Sequence, residues 1–98
     1  MTQDQMKGLA QNFRDNVEKI LPNHTPYNQN RIKKIKELNT YVNQAGRKVY
    51  YSYNSKNSKF IEKISMEKDI FTTKVIEYIL DPKDNSVIDI QDISEKSF

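Results

Sequence analysis

The sequence predicts a single α+β domain, two N-terminal amphipathic helices packed on a small antiparallel β-meander in the order α-α-β-β-β-β. Three observations predict it. Apolar residues ahead of Gly46 recur at helical spacing. Beyond Gly46 the chain turns aromatic and β-branched in short segments, as strands prefer. Clusters of Asn, Asp, Ser and Pro separate those segments as turns do. One domain is expected over residues 1–98, with a helical part at 3–45, a β part at 47–93 and a frayed end at 94–98.

The first helix is expected at about residues 3–21. Met6, Leu9, Ala10, Phe13, Val17, Ile20 and Leu21 fall on one helical stripe. Thr2 followed by Gln5 fits a capping box. Pro22 is expected to stop the helix, since it lacks an N–H and disfavours helical geometry before it. After a turn-rich linker from Asn23, Thr25-Pro26 suits the start of a second helix. Ile32, Ile35, Leu38, Tyr41 and Val42 form its apolar stripe, and Gln44-Ala45-Gly46 its end.

Val49 to Tyr53 reads as the first strand, Asn54 to Ser58 as a turn, and Lys59 to Ile64 as the second strand. Ile70 to Leu80 carries two signals. Phe71, Val75 and Tyr78 fall at helical spacing with Ser65 available as a cap, while Ile70, Thr72, Thr73, Val75, Ile76 and Ile79 are β-branched. The β-branched run predicts a strand. Asp81 to Ser86 is a turn, and Val87 to Ile90 a short last strand.

Composition narrows the function classes. The 98 residues are 36% hydrophobic and 30% charged, with no cysteine. Disulfides, thiolate metal sites and a cysteine nucleophile are thereby excluded. The opening MTQDQMKGLAQ lacks the basic-then-apolar order of a signal peptide, and no apolar run is long enough for a membrane helix. A cytoplasmic protein is expected, and the Lys-, Asn- and Ile-rich usage suggests a bacterial or phage source.

No enzyme is expected. His24 is the one histidine and lies in a polar linker, where an exposed turn residue is the commoner case. Two glycines leave no phosphate-cradling loop. Asp81, Asp84, Asp89 and Asp92 lack the central Gly and terminal Glu of a calcium loop, and Asp81 and Asp84 read as turn formers. No catalytic residue, metal or cofactor is predicted.

Charge is more informative. The net charge is +3, but residues 1–46 carry +3, residues 47–68 carry +4 and residues 69–98 carry −4. The acidic end could neutralise the basic middle within the fold or across a homodimer. The basic middle could also meet an acidic partner such as nucleic acid, and an ordinary solvated surface is the commoner case. Candidate partner-binding residues are Arg31, Lys33, Lys34 and Lys36 in the early turns of the second helix, where the helix dipole disfavours cations. Lys48, Tyr50, Lys56 and Lys59 join them from the Tyr/Lys section. Strand alternation sends Val49, Tyr51 and Tyr53 to one face, and burying those three leaves Tyr50 exposed.

The run from Ile35 through Leu38-Asn39, Val49-Tyr50-Tyr51-Ser52-Tyr53 and Phe60-Ile61-Glu62-Lys63-Ile64, with the hairpin Asp81 to Ile88, resembles bacterial FlaG-like flagellar proteins over about half the chain. The Val-Ile-Arg-x-Ile-Pro segment of that family is absent, Val87-Ile88-Asp89-Ile90-Gln91-Asp92 standing near its place. The resemblance implies a structural accessory factor. From the residues themselves, the leading expectation is a non-enzymatic interaction or regulatory protein with a protein partner. Nucleic-acid binding through the basic helix and the Tyr/Lys strand is the alternative. No membrane partner is expected.

Overall fold

The computed structural model describes residues 2–21, 24–66 and 69–94, with the backbone alone described at Met66 and residues 69–72. It is an α+β fold: helices α1 (Gln3–Asp15), α2 (Val17–Ile20) and α3 (Pro26–Val42), then strands β1 (Arg47–Asn54), β2 (Lys59–Met66), β3 (Asp69–Leu80) and β4 (Val87–Asp92). The strands form one antiparallel sheet in sequential order, β1-β2-β3-β4. The helices cover one face of it.

The start of α1 follows from its first residues. The Thr2 hydroxyl accepts from the Gln5 N–H at 3.1 Å, and the Gln5 side chain accepts from the Thr2 N–H at 2.9 Å. The expected continuous helix over 3–21 is, however, broken at Asn16. The Asn16 side-chain amide donates to the Asn12 carbonyl at 2.7 Å, in competition with the helical ladder. Val17 and Leu21 still reach the core from the short α2 and its cap. Leu9 departs from the expected stripe, being 36% exposed, while Arg14 takes a buried place between Ala10 and Val17.

In α3 the Thr25 hydroxyl caps the Asn28 N–H at 3.1 Å with Pro26 in the first turn, as the sequence predicts. Ile32, Ile35 and Leu38 are buried, with Tyr41 and Val42 packed beside them. The helix ends at Val42, earlier than expected, because the Asn43 side chain takes the Asn39 carbonyl at 2.7 Å. Gly46 then turns the chain at φ 83, in the left-handed region that glycine enters without strain. Pro22 and residues 95–98, on which a helix stop and a frayed end were expected, lie outside the described residues.

Residues 69–80 are strand, so β-branching outweighs the helical spacing there. The four strands extend slightly past their expected limits. Tyr51, Phe60, Ile64, Ile76, Tyr78 and Ile90 line the helix-facing side. Phe13 of α1 is half-buried and closes an aromatic group with Phe60 at 5.8 Å and Tyr78 at 5.3 Å between ring centroids. At the β1–β2 turn the Asn54 side chain accepts from the Lys56 N–H at 3.0 Å. At the β3–β4 turn Asp81 and Asp84 accept from Lys83 and Ser86 N–H groups at 2.8 and 3.0 Å, which makes them turn formers.

Candidate binding face

The side of the sheet away from the helices follows from strand alternation. Because Val49, Tyr51 and Tyr53 pack toward the core, Lys48, Tyr50 and Ser52 point the other way. On β2 the same face carries Lys59, Ile61 and Lys63, since Phe60, Glu62 and Ile64 are buried. Register then sets the rows. Tyr50 stands opposite Lys63, and Lys63 opposite Val75. Ser52, Ile61, Glu77 and Gln91 form the next row, and Asn54, Lys59, Ile79 and Asp89 the one after. Tyr50 is 58% exposed and the only aromatic of these rows.

Charge on this face is graded. Lys48 and Lys63 lie on β1 and β2, whereas Glu77 and Asp89 lie on β3 and β4. Lys59 pairs with Glu77 at 3.6 Å. A depression of about 670 Å³ at the hairpin end is bounded by Ser52, Lys56, Lys59, Ile61 and Glu77.

The α3 cations are elsewhere. They project from the helical layer, on the opposite side of the molecule from Tyr50, so the two halves of the expected site are not brought together. Arg31 reaches the β4 edge, pairs with Asp89, donates to the Ile90 carbonyl and lies 5.2 Å from the Tyr27 ring centroid. Burial alone would raise the Asp89 carboxyl. Arg31, Gln91 and the Ile90 N–H outweigh it and hold the carboxyl below its usual value. Lys36 pairs with Glu18 at the surface. Lys33 and Lys34 are exposed. Lys34 borders a cleft of about 490 Å³ between α3 and the strands, with Glu37, Leu38, Tyr41, Lys74 and Asp92. Thus part of the basic helix neutralises the acidic C-terminal section and part remains a solvated surface.

One polar cluster was missed by sequence reasoning. Arg14, 2% exposed, pairs through Nη1 with Glu62, which is fully buried. Its Nε donates to Asn39 Oδ1 at 2.8 Å and its Nη2 to Gln11 Oε1 at 3.0 Å. The Tyr78 hydroxyl donates to the other Glu62 oxygen at 2.6 Å. Burial opposes the Arg14 charge, but Glu62 outweighs it and raises the guanidinium further. Burial, helped by the Glu62 charge, pushes the Tyr78 phenol well up and the Tyr51 phenol up to about 12. Both phenols therefore stay protonated at neutral pH and serve as donors or packing groups. The cluster is internally satisfied and fastens α1 to β2 and β3.

His24 is exposed, and among the described residues no three His, Asp or Glu side chains gather around a metal position. Nor is any helix among them long and apolar enough to cross a membrane. No family model, curated protein or solved structure matches this chain. The flagellar resemblance rests on the residues quoted for it alone.

Proposed function

We propose that this protein is a non-enzymatic interaction module, a small cytoplasmic regulator of bacterial or phage type, whose helix-free sheet face binds an acidic surface of a protein partner. One observation carries the reading: Tyr50 stands 58% exposed among Lys48 and Lys63 on a face that no described helix covers. An exposed tyrosine offers a large anchoring area at low entropic cost, and surrounding cations orient an acidic partner. Nucleic acid is the alternative partner and self-association a further mode. A single aromatic gives little stacking platform, and the α3 cations face away, so the protein reading is favoured.

The test is affinity capture from the native host, with nuclease, using the parent chain, Tyr50→Ala and Lys48→Glu/Lys63→Glu. Tyr50 and both lysines are surface groups, so the fold should survive. A captured protein that is kept after nuclease and lost with both variants supports the reading. Capture lost on nuclease treatment, with binding that falls steeply with salt, would transfer the face to nucleic acid. Capture unaffected by either variant would reject the face.

A further inference from the structure

The two edges of the sheet are finished differently. At the β4 edge, Arg31 holds the Ile90 carbonyl and the Asp89 carboxylate, and a register shift falls between Ile79 and Leu80 on the neighbouring strand. Charge and irregularity are the usual means of closing an edge to further strands. The β1 edge is longer, and its pairing with β2 shows no shift from Arg47 to Asn54. There the Gln3 side chain makes a matched pair of bonds to one residue: its Nε2 donates to the Tyr51 carbonyl at 3.0 Å, and its Oε1 accepts from the Tyr51 N–H at 3.0 Å. These are the two bonds that a residue of an adjacent antiparallel strand would make.

Since N–H and C=O of one residue point to the same side of an antiparallel strand, Tyr51 marks the outward set as Val49, Tyr51 and Tyr53. The Arg47 N–H at the start of the strand is taken by the Gln44 carbonyl at 3.4 Å, and Gln3 takes both backbone groups of Tyr51. We propose that the β1 edge is a self-association site: two copies of this chain join β1 to β1 antiparallel, and in the single chain Gln3 holds the place of the second strand.

The sequence of β1 is self-complementary in this arrangement. With the two-fold axis at Tyr51, Val49 meets Tyr53 of the second copy on the core side, and Tyr50 meets Ser52 of the second copy on the bare side. Lys48 meets Asn54, so no cation of the strand stands directly opposite another. The backbone bonds gained along the strand exceed the pair surrendered by Gln3. Gln3 is exposed and lies at the beginning of α1, so its side chain can swing away while the helix remains docked.

Sedimentation equilibrium of the parent chain and Gln3→Ala tests this. Alanine suits the first turn of a helix, and the Thr2–Gln5 cap is untouched. The association constant should rise about tenfold or more in Gln3→Ala, as two competing hydrogen bonds are removed. Adding Val49→Pro, which deletes an outward N–H at an edge that tolerates proline, should return the protein to monomer. Should Val49→Pro not fold, the Val49 and Tyr53 amides of Gln3→Ala provide the second measurement. Their hydrogen exchange should slow as concentration rises. An unchanged association constant in Gln3→Ala overturns the proposal. So does a dimer that survives Val49→Pro, or one that leaves those two amides unprotected.

Discussion

Replacing Glu62 with alanine should be among the most damaging single changes available to this chain. The substitution removes the charge partner of Arg14 and the acceptor of the Tyr78 hydroxyl together. Arg14 keeps Asn39 and Gln11, but its charge becomes unbalanced at 2% exposure. Breaking a buried pair from one side typically costs about 3–5 kcal/mol. Domains of this size are stable by roughly 5–15 kcal/mol in all. At about 4–8 °C per kcal/mol for such a chain, the midpoint should fall by on the order of 20 °C. Urea unfolding and thermal melts followed by circular dichroism measure the loss. The companion variant is Arg14→Met with Glu62→Leu and Tyr78→Phe, which replaces the cluster by apolar groups and should recover most of the stability. A Glu62→Ala loss below about 1 kcal/mol would refute the assignment, because a buried arginine cannot lose its counter-charge at so small a cost. A triple variant no better than the single would show that packing, rather than the stranded charge, sets the penalty.

Phe13→Ala should cost about 3 kcal/mol in urea unfolding, the low end for a phenylalanine because the ring is half-buried against Phe60 and Tyr78. A loss under about 1 kcal/mol would mean that α1 is held by its polar cluster alone. At alkaline pH the Tyr51 phenol, raised from 10 to about 12 by burial and Glu62, contributes stability that is complete below pH 10 and disappears as pH rises toward 12. Tyr51→Phe should therefore move the alkaline unfolding midpoint upward. Asp89 has the opposite sign: its lowered carboxyl contributes stability above its unfolded value of 3.8 that is lost on further acidification, and Arg31→Ala should flatten this acid limb. Lys33→Glu with Lys34→Glu should leave thermal stability within about 0.5 kcal/mol of the parent, since both side chains are exposed.

The elements that sequence pattern reveals are those whose signal is local. The Thr2–Gln5 cap, the Thr25-Pro26 start, Gly46 and the turns around Asn54 and Asp81 each depend on a few consecutive residues, and each is present. The alternation that leaves Tyr50 outside and Tyr51 inside is also local, and both side chains lie as it predicts. The breaks at Asn16 and Asn43 escaped because an asparagine within an apolar stripe does not announce whether its amide will turn back on the preceding carbonyl. Arg14 and Glu62 escaped for a different reason: each interrupts an apolar pattern, and only the fold brings the interruptions together. A sequence signal did exist. Arg14 sits at core spacing between Ala10 and Val17, and Glu62 alternates inward between Phe60 and Ile64. One basic and one acidic residue at inward positions of facing elements form a pair that could have been matched. Likewise, the charge asymmetry left internal neutralisation as one possibility among several, and only topology selects Asp89 for Arg31.

The buried pair also bears on which face of the sheet is left bare. Side chains on β2 alternate between Phe60, Glu62 and Ile64 on one side and Lys59, Ile61 and Lys63 on the other. A slip of β2 by one residue would exchange these sets, burying Lys63 beneath α1 and turning Phe60 to solvent. Apolar burial alone opposes this slip weakly at Ile61, which could substitute for an inward aliphatic. Charge opposes it strongly. In the slipped register Arg14 would face Ile61 or Lys63, leaving the guanidinium unpaired or against a like charge in a water-excluded site. The Arg14–Glu62 contact therefore acts with the burial of Phe60 and Ile64 in selecting the register. The same contact presents Lys63 beside Tyr50 on the open side. The core charge that looks least connected with the open side thus helps to set which residues that side presents.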